Sequence, residues 1–254
     1  MTVVSQWVGK HGKWVRANVP ELNITAAYAD AFSTWLRAAA DADTAWWGQR
    51  YVVPNATAPV FGADVSITYH TVSYTKGKDV IDWAAAARTL LATNTTADAY
   101  PYSWRSHYPI GTRGATAVNA HNLYDVVRLA ANAWPHIDAD RPLAAAVAAA
   151  VNASLVWVRA NSVGADGTVL RPGAYAGGVA DGYYYIVGAL RYGGVFDSAL
   201  RFWTTRSTGA PFDDADRLCC AMLAQLRRLS LANAAGTLAE LAALPACGAC
   251  GHRV

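Results

Sequence analysis

The chain has 254 residues, of which 54% are apolar and only 15% charged, with a net charge of +3. An average globular chain is about a quarter charged, so this composition excludes disorder, which needs low hydrophobicity and high charge. It leaves a folded surface of roughly 10,800 Å² thinly covered by charge, and a balance of +3 excludes a chain that binds polyanions over its whole surface.

Residues 1–20 are read as an extended N-terminal arm ending at Pro20. Lys10, His11, Lys13 and Arg16 all precede the first acid, Glu21. Residues 21–254 are read as one compact helical domain with a β insertion at about 48–76. Asn23 is placed to cap a helix running to about Ala40, with Ala27, Phe32, Trp35 and Leu36 as its packing stripe. Residues 64–75 are rich in β-branched and aromatic side chains. They predict a strand with Val65, Ile67 and Tyr69 on one face and Ser66, Thr68, His70, Val72 and Tyr74 on the other. Lys76-Gly77-Lys78 turns the chain out of it.

Helices dominate from there. One is predicted over 79–92. An aromatic, proline-bearing loop follows at 95–114, then a long helix over 115–134 packing through Ala117, Ala120, Tyr124, Val127, Ala131 and Trp134. Asp140 caps the next, with Pro142 in its first turn. Leu143, Val147, Val151, Leu155 and Val158 recur there at helical spacing. The charge-free run 142–158 is mostly alanine and holds Asn152 and Ser154, so a buried helix suits it better than a membrane span. A hairpin or loop is expected around Asp166-Gly167. Short helices are expected over 183–192, 198–204 and 237–244, and a longer one over 213–229. The fold class is mainly α with a small β-hairpin or sheet (α+β).

The sharpest local motif is Cys247-Gly-Ala-Cys250-Gly-His252, whose thiolates and imidazole offer three zinc ligands. Cys219 and Cys220 are adjacent on a helix and point about 100° apart, so no more than one of them can complete a site. We read the tail as a packed or solvent-near terminus. No cysteine occurs before residue 219, so no disulfide framework is expected, and with no signal-peptide pattern at the start the chain is assigned to a reducing compartment. The four N-x-S/T sites, at Asn23, Asn55, Asn94 and Asn152, are then unused. His121, Asp125, Arg128 and Asn132 form a polar stripe opposite the apolar face of their helix, read as a solvated or interface surface. A His–Asp pair four apart is also the spacing that orients an imidazole as a base. Asp138-Ala-Asp140 is read as a helix cap in place of a metal motif.

Ten Trp and 13 Tyr are a heavy aromatic load. Trp7, Trp14, Trp46, Trp47 and Trp104 lie near predicted loops or ends. Interface cores are enriched in aromatics and depleted in charge, so both compositional biases point to self-association.

In general character the chain resembles the small, mainly helical coat proteins of fungal double-stranded RNA viruses, the partitivirus-like group. The shared features are alanine-rich helices at 115–134 and 140–160, a minor β element, no dense basic arm, no secretion signal and near-neutral charge. The resemblance implies an icosahedral shell built from dimers, with residues 1–20 as an exchanged arm. It implies duplex RNA held without sequence specificity through phosphates, with Lys10, Lys13, Arg16, Arg227 and Arg228 as candidate contacts. It also implies location in the virion and the host cytoplasm, with no catalytic residue, cofactor or membrane partner. Two rivals stand beside it. One is a polysaccharide lyase on a helical scaffold, using His121 with Asn119, Asn122 or a tyrosine. The other is a non-viral oligomeric scaffold with a zinc tail made by Cys247, Cys250 and His252.

Overall fold

The computed structural model describes residues 2–51, 60–80, 82–94, 104–108, 120–169, 179–200, 214–229 and 235–252. It is mainly helical with one small antiparallel sheet, as the composition and periodicity predict. The chain divides into two compact units. One comprises Met1–Asn94, Arg105–Ala117 and Asn132–Leu143; the other comprises Thr95–Trp104, Val118–Ala131 and Ala144–Val254. No linker composition marks this division, because the chain passes back and forth between the units.

In the first unit the expected extended arm is helical. Helix α1 (Thr2–Ser5) runs into a π-helical turn over Gln6–Lys10 and then into α2 (Gly12–Asn18). A short 3₁₀ turn at Pro20–Leu22 follows and ends at Asn23, which has a left-handed backbone with φ 46°. Asn23 is therefore not the cap of α3 (Ala26–Ala39). Thr25 is, its hydroxyl accepting the Tyr28 N–H at 3.1 Å.

Strands β1 (Gly48–Tyr51) and β2 (Val60–Asp64) pair antiparallel, with Gly48 opposite Ala63. The two-residue β3 (His107–Tyr108) adds to β2. The β reading of 64–75 is overturned beyond Asp64: Val65–Thr75 is helix α4. Asp64 caps it by accepting the Ile67 N–H at 2.8 Å. Its buried residues are Val65, Thr68, Tyr69, Thr71, Val72 and Thr75, a set dominated by spacings of three and four. The segment carries both a period of two and a period of 3.6, and packing selects the second. Lys76 and Gly77 do turn the chain, both at positive φ. Helix α5 (Trp83–Ala92) is capped by Asp82.

The first core is built on Trp46 and Trp47, both fully buried. Their indole N–H groups donate to the carbonyls of Ala86 and Leu36, at 3.0 and 2.8 Å. An indole can be buried at this depth because its one polar atom is satisfied.

In the second unit, α6 (Ala120–Ile137) changes units after Ala131 and α7 (Arg141–Asn161) changes units after Leu143. Asp140 caps α7 as expected, accepting the Leu143 N–H at 3.2 Å. Leu143, Val147, Val151, Leu155 and Val158 are all buried. Among the described residues α7 is the one helix long and apolar enough to cross a membrane. Trp104 is fully buried in this unit and donates to Ser154 at 2.7 Å. The turn at Asp166-Gly167 is present, closed by an antiparallel bridge between Val163 and Val169, with Gly167 at φ 81°. A Cβ on Gly167 would lie 2.3 Å from the backbone of Ala221, so the turn seats directly on a helix further along the chain. That helix is α9 (Ala215–Leu229); α8 (Val179–Tyr192) precedes it and α10 (Ala235–Ala242) follows.

The expectations for 95–103, 109–119 and 201–213 lie outside the described residues. Of the helix expected over 198–204, a 3₁₀ turn at Ser198–Leu200 is seen.

Candidate functional site

Two aromatic clusters, one in each unit, hold the chemistry. In the first unit the N-terminal helical segment is seated on α4. Gly9 approaches the Tyr74 carbonyl so closely that a Cβ would lie 2.3 Å from its oxygen. The segment buries Ser5, Gly12 and Val15 and turns its other side outward. Trp7 and Trp14 are 45% and 61% exposed, and with His11 and Val15 they line a groove of about 380 Å³. Lys10, Lys13 and Arg16 are exposed on the same segment, with the Lys10 Nζ 6.0 Å from the Tyr74 ring centre.

Helix α3 has two sides. Ser33 and Leu36 enter the core. The Ser33 hydroxyl donates to the fully buried Asp79 carboxylate, which also receives Arg37 at 3.3 Å. Of the expected packing stripe, Leu36 is buried and Phe32 partly so, while Ala27 and Trp35 face outward. Tyr28 and Trp35 are 47% and 50% exposed, and Phe32 stacks on Trp35 with ring centres 5.6 Å apart. The sequence shows this aromatic periodicity but not which way it faces, because Ser33 disguises the inward side.

The polar stripe of α6, expected to be a solvated or interface surface, is partly buried, and its second-unit portion holds a close pair. Asp125 is fully buried and lies 3.2 Å from Nε2 of His121, whose side chain is one-third exposed. Tyr185 of α8 stacks on the His121 ring at 4.5 Å. The Arg128 guanidinium lies 4.0 Å from the Tyr192 ring centre and donates to the Tyr124 hydroxyl at 2.8 Å. Tyr124 also meets Tyr184, the two hydroxyls 3.5 Å apart. Burial first, and the contact with Tyr124 second, push the Tyr184 hydroxyl well above its ordinary value. Gly188 makes room for the Tyr124 ring, since a Cβ there would be 2.4 Å from it. An imidazole oriented by a buried carboxylate beside phenols can exchange protons. Asn122 is buried on the same helix, and Asn119 lies outside the described residues. The signal missed in the sequence is Tyr183-Tyr184-Tyr185, with Tyr192 two turns on.

The zinc reading is overturned. Cys219 is bonded to Cys247 and Cys220 to Cys250, so the thiolates a metal needs are consumed. The expectation of no disulfide framework falls with it. A 3₁₀ helix at Pro245–His252 carries Cys247 and Cys250 one turn apart, and it presents each to one of the adjacent cysteines of α9. Four cysteines confined to 219–250 were the available signal, since an even clustered set also counts as two bridges.

Arg227 and Arg228 lie exposed in the last turn of α9, in a different unit from Lys10, Lys13 and Arg16. Asp214, ahead of α9, pairs with Arg159 at 2.6 Å and Arg217 at 2.9 Å. The Arg159 contact holds its carboxyl below the ordinary carboxylate range. No family model matches the chain, and no curated protein or solved structure matches it either.

Proposed function

We propose that this chain is a self-assembling structural subunit, the coat protein of a small virus with a double-stranded RNA genome. One observation carries the assembly half of the reading: on the aromatic side of α3, Tyr28 and Trp35 remain about half exposed. Tyr28, Phe32, Trp35 and Ala39 follow a four-three-four spacing, which is the seam one helix offers to another. No charge interrupts that seam, so a second copy presenting the same face is a suitable occupant, as in a two-fold interface. The coat half rests on the resemblance in general character.

The two cystines belong to an oxidising setting, which suits a particle outside the reducing cell better than the chain inside it. The experiment is sedimentation of the purified chain with absorbance at two wavelengths. Megadalton particles carrying protected RNA are expected, and Trp35→Ala should shift them to small species. A stable monomer at micromolar concentration would overturn the proposal.

The His121–Asp125 pair favours a second reading, an acid–base enzyme acting on a polysaccharide, with the tyrosines of α8 as sugar-stacking surfaces. Its test is the appearance of unsaturated uronate absorbance with a polyuronate substrate, lost in His121→Ala. A chain without such activity leaves the structural reading alone.

A further inference from the structure

We infer that the groove between Trp7 and Trp14 binds unpaired nucleotides of a single-stranded polynucleotide. The inference rests on the coat reading only for the source of that strand, and it replaces duplex-only contact with a site for exposed bases.

Three of the four lining side chains, Trp7, His11 and Trp14, offer flat π faces, and Val15 closes the floor at 5% exposure. The two indoles are not spent on the chain's own core, unlike Trp46, Trp47 and Trp104. Both remain about half exposed on a segment that Gly9 seats against α4, so the platform is in place before a ligand arrives. Lys10, Lys13 and Arg16 stand on the same segment, which carries no acid before Glu21. The ligand that fits is therefore planar and anionic.

The groove's 380 Å³ lies at the small end of ligand sites, about 300–1,000 Å³. That is room for a ring, not for a partner helix. A bilayer is met by a protruding apolar face that embeds in it, whereas these rings wall a concavity. A duplex keeps its bases stacked inside and offers an indole nothing but its backbone. Unpaired bases stack readily on aromatic side chains, with cations following the phosphates.

The test uses the full chain, kept unassembled by low concentration and by the Trp35→Ala background. Fluorescence anisotropy follows a labelled oligoadenylate, a hairpin duplex of equal length, and vesicles of phosphatidylserine with phosphatidylcholine. The oligoadenylate should bind more tightly than the duplex. Its log affinity should fall with log salt at a slope of about −2, from three phosphates at about −0.7 each. Trp7→Ala and Trp14→Ala should each weaken binding about tenfold, the loss of one stacked base. Trp14→Phe should retain most of the affinity.

Equal or tighter duplex binding would overturn the inference, as would unchanged affinity in both alanine variants, or vesicle binding without oligonucleotide binding. The coat reading fails separately. A monomer that binds oligoadenylate through Trp14 overturns assembly alone, and particles whose dissociated subunits ignore the oligonucleotide overturn the groove alone.

Discussion

The N-terminal stretch of the first unit and the tyrosine cluster of the second use their aromatic residues differently. The first unit carries five exposed large apolar side chains within its first 35 residues: Trp7, Trp14, Leu22, Tyr28 and Trp35. The second gathers Tyr124, Tyr184, Tyr185 and Tyr192 around Arg128, and is tied by two disulfides. The first therefore has recognition surface to spare, and the second has reinforcement. A shared composition, rich in rings and poor in charge, supports both uses. What separates the uses is how far each ring is covered, completely for Trp46, Trp47 and Trp104 and about half for Trp7, Trp14, Trp35 and Tyr184.

The contrast can be broken most strongly at the buried tryptophans of the first unit. Trp47→Ala should cost about 3–5 kcal/mol in denaturant unfolding, whereas Trp35→Ala on the same unit should stay within about 0.5 kcal/mol and change only the sedimentation. If Trp35→Ala destabilised the subunit as much as Trp47→Ala, the exposed seam would be core after all.

The next largest effect is reduction of the cystines. Loops closed across 28 and 30 residues are worth about 3–4 kcal/mol for the first bridge. The second adds less, because its loop overlaps the first. Hydrogen exchange with and without reductant should show the loss in α9 and α10, while α3 and α4 hold their protection.

The smallest effect concerns pH. Because Asp214 is held below its ordinary value of 3.8, its stabilisation is complete above pH 3.8. It disappears as pH falls through the lower folded value. Asp214→Asn should remove that acid-side loss, no more than about 1 kcal/mol for so accessible a pair, in unfolding curves compared at pH 5 and below.

Legibility in the sequence followed the number of independent signals at each place. Helix α7 was readable because Asp140, Pro142 and the Leu143–Val158 spacing agree. The turn at Asp166-Gly167 was readable because glycine there serves both the positive φ and the close approach to α9. Residues 64–75 satisfied two periods at once, and only tertiary packing chose the helix. Residues 1–20 have too short an apolar pattern to announce a helix by themselves; their order comes from docking on α4. The aromatic period of α3 was visible while its direction was not, because the inward side is marked by Ser33, whose partner Asp79 is 46 residues away. The His121–Asp125 pair is legible by spacing, but the ring stacked on His121 comes from Tyr185 of α8, 64 residues further on. The cystines needed a pairing that spacing alone could not distinguish from a metal site.

The alternation of the chain between units has a consequence for its synthesis. The first unit takes in residues 132–143 as well as the N-terminal portion. A ribosome delivering the chain in order cannot complete that unit until Leu143 has emerged, by which time parts of the second are already made. The first unit has all its segments once Leu143 is out, whereas the second waits for residues 144–254; a cut after Leu143 keeps every segment of the first on one fragment but strips 95–104 and 118–131 from the second. A deletion series from the C-terminus should therefore lose the second unit while the first persists, until the cut passes Leu143.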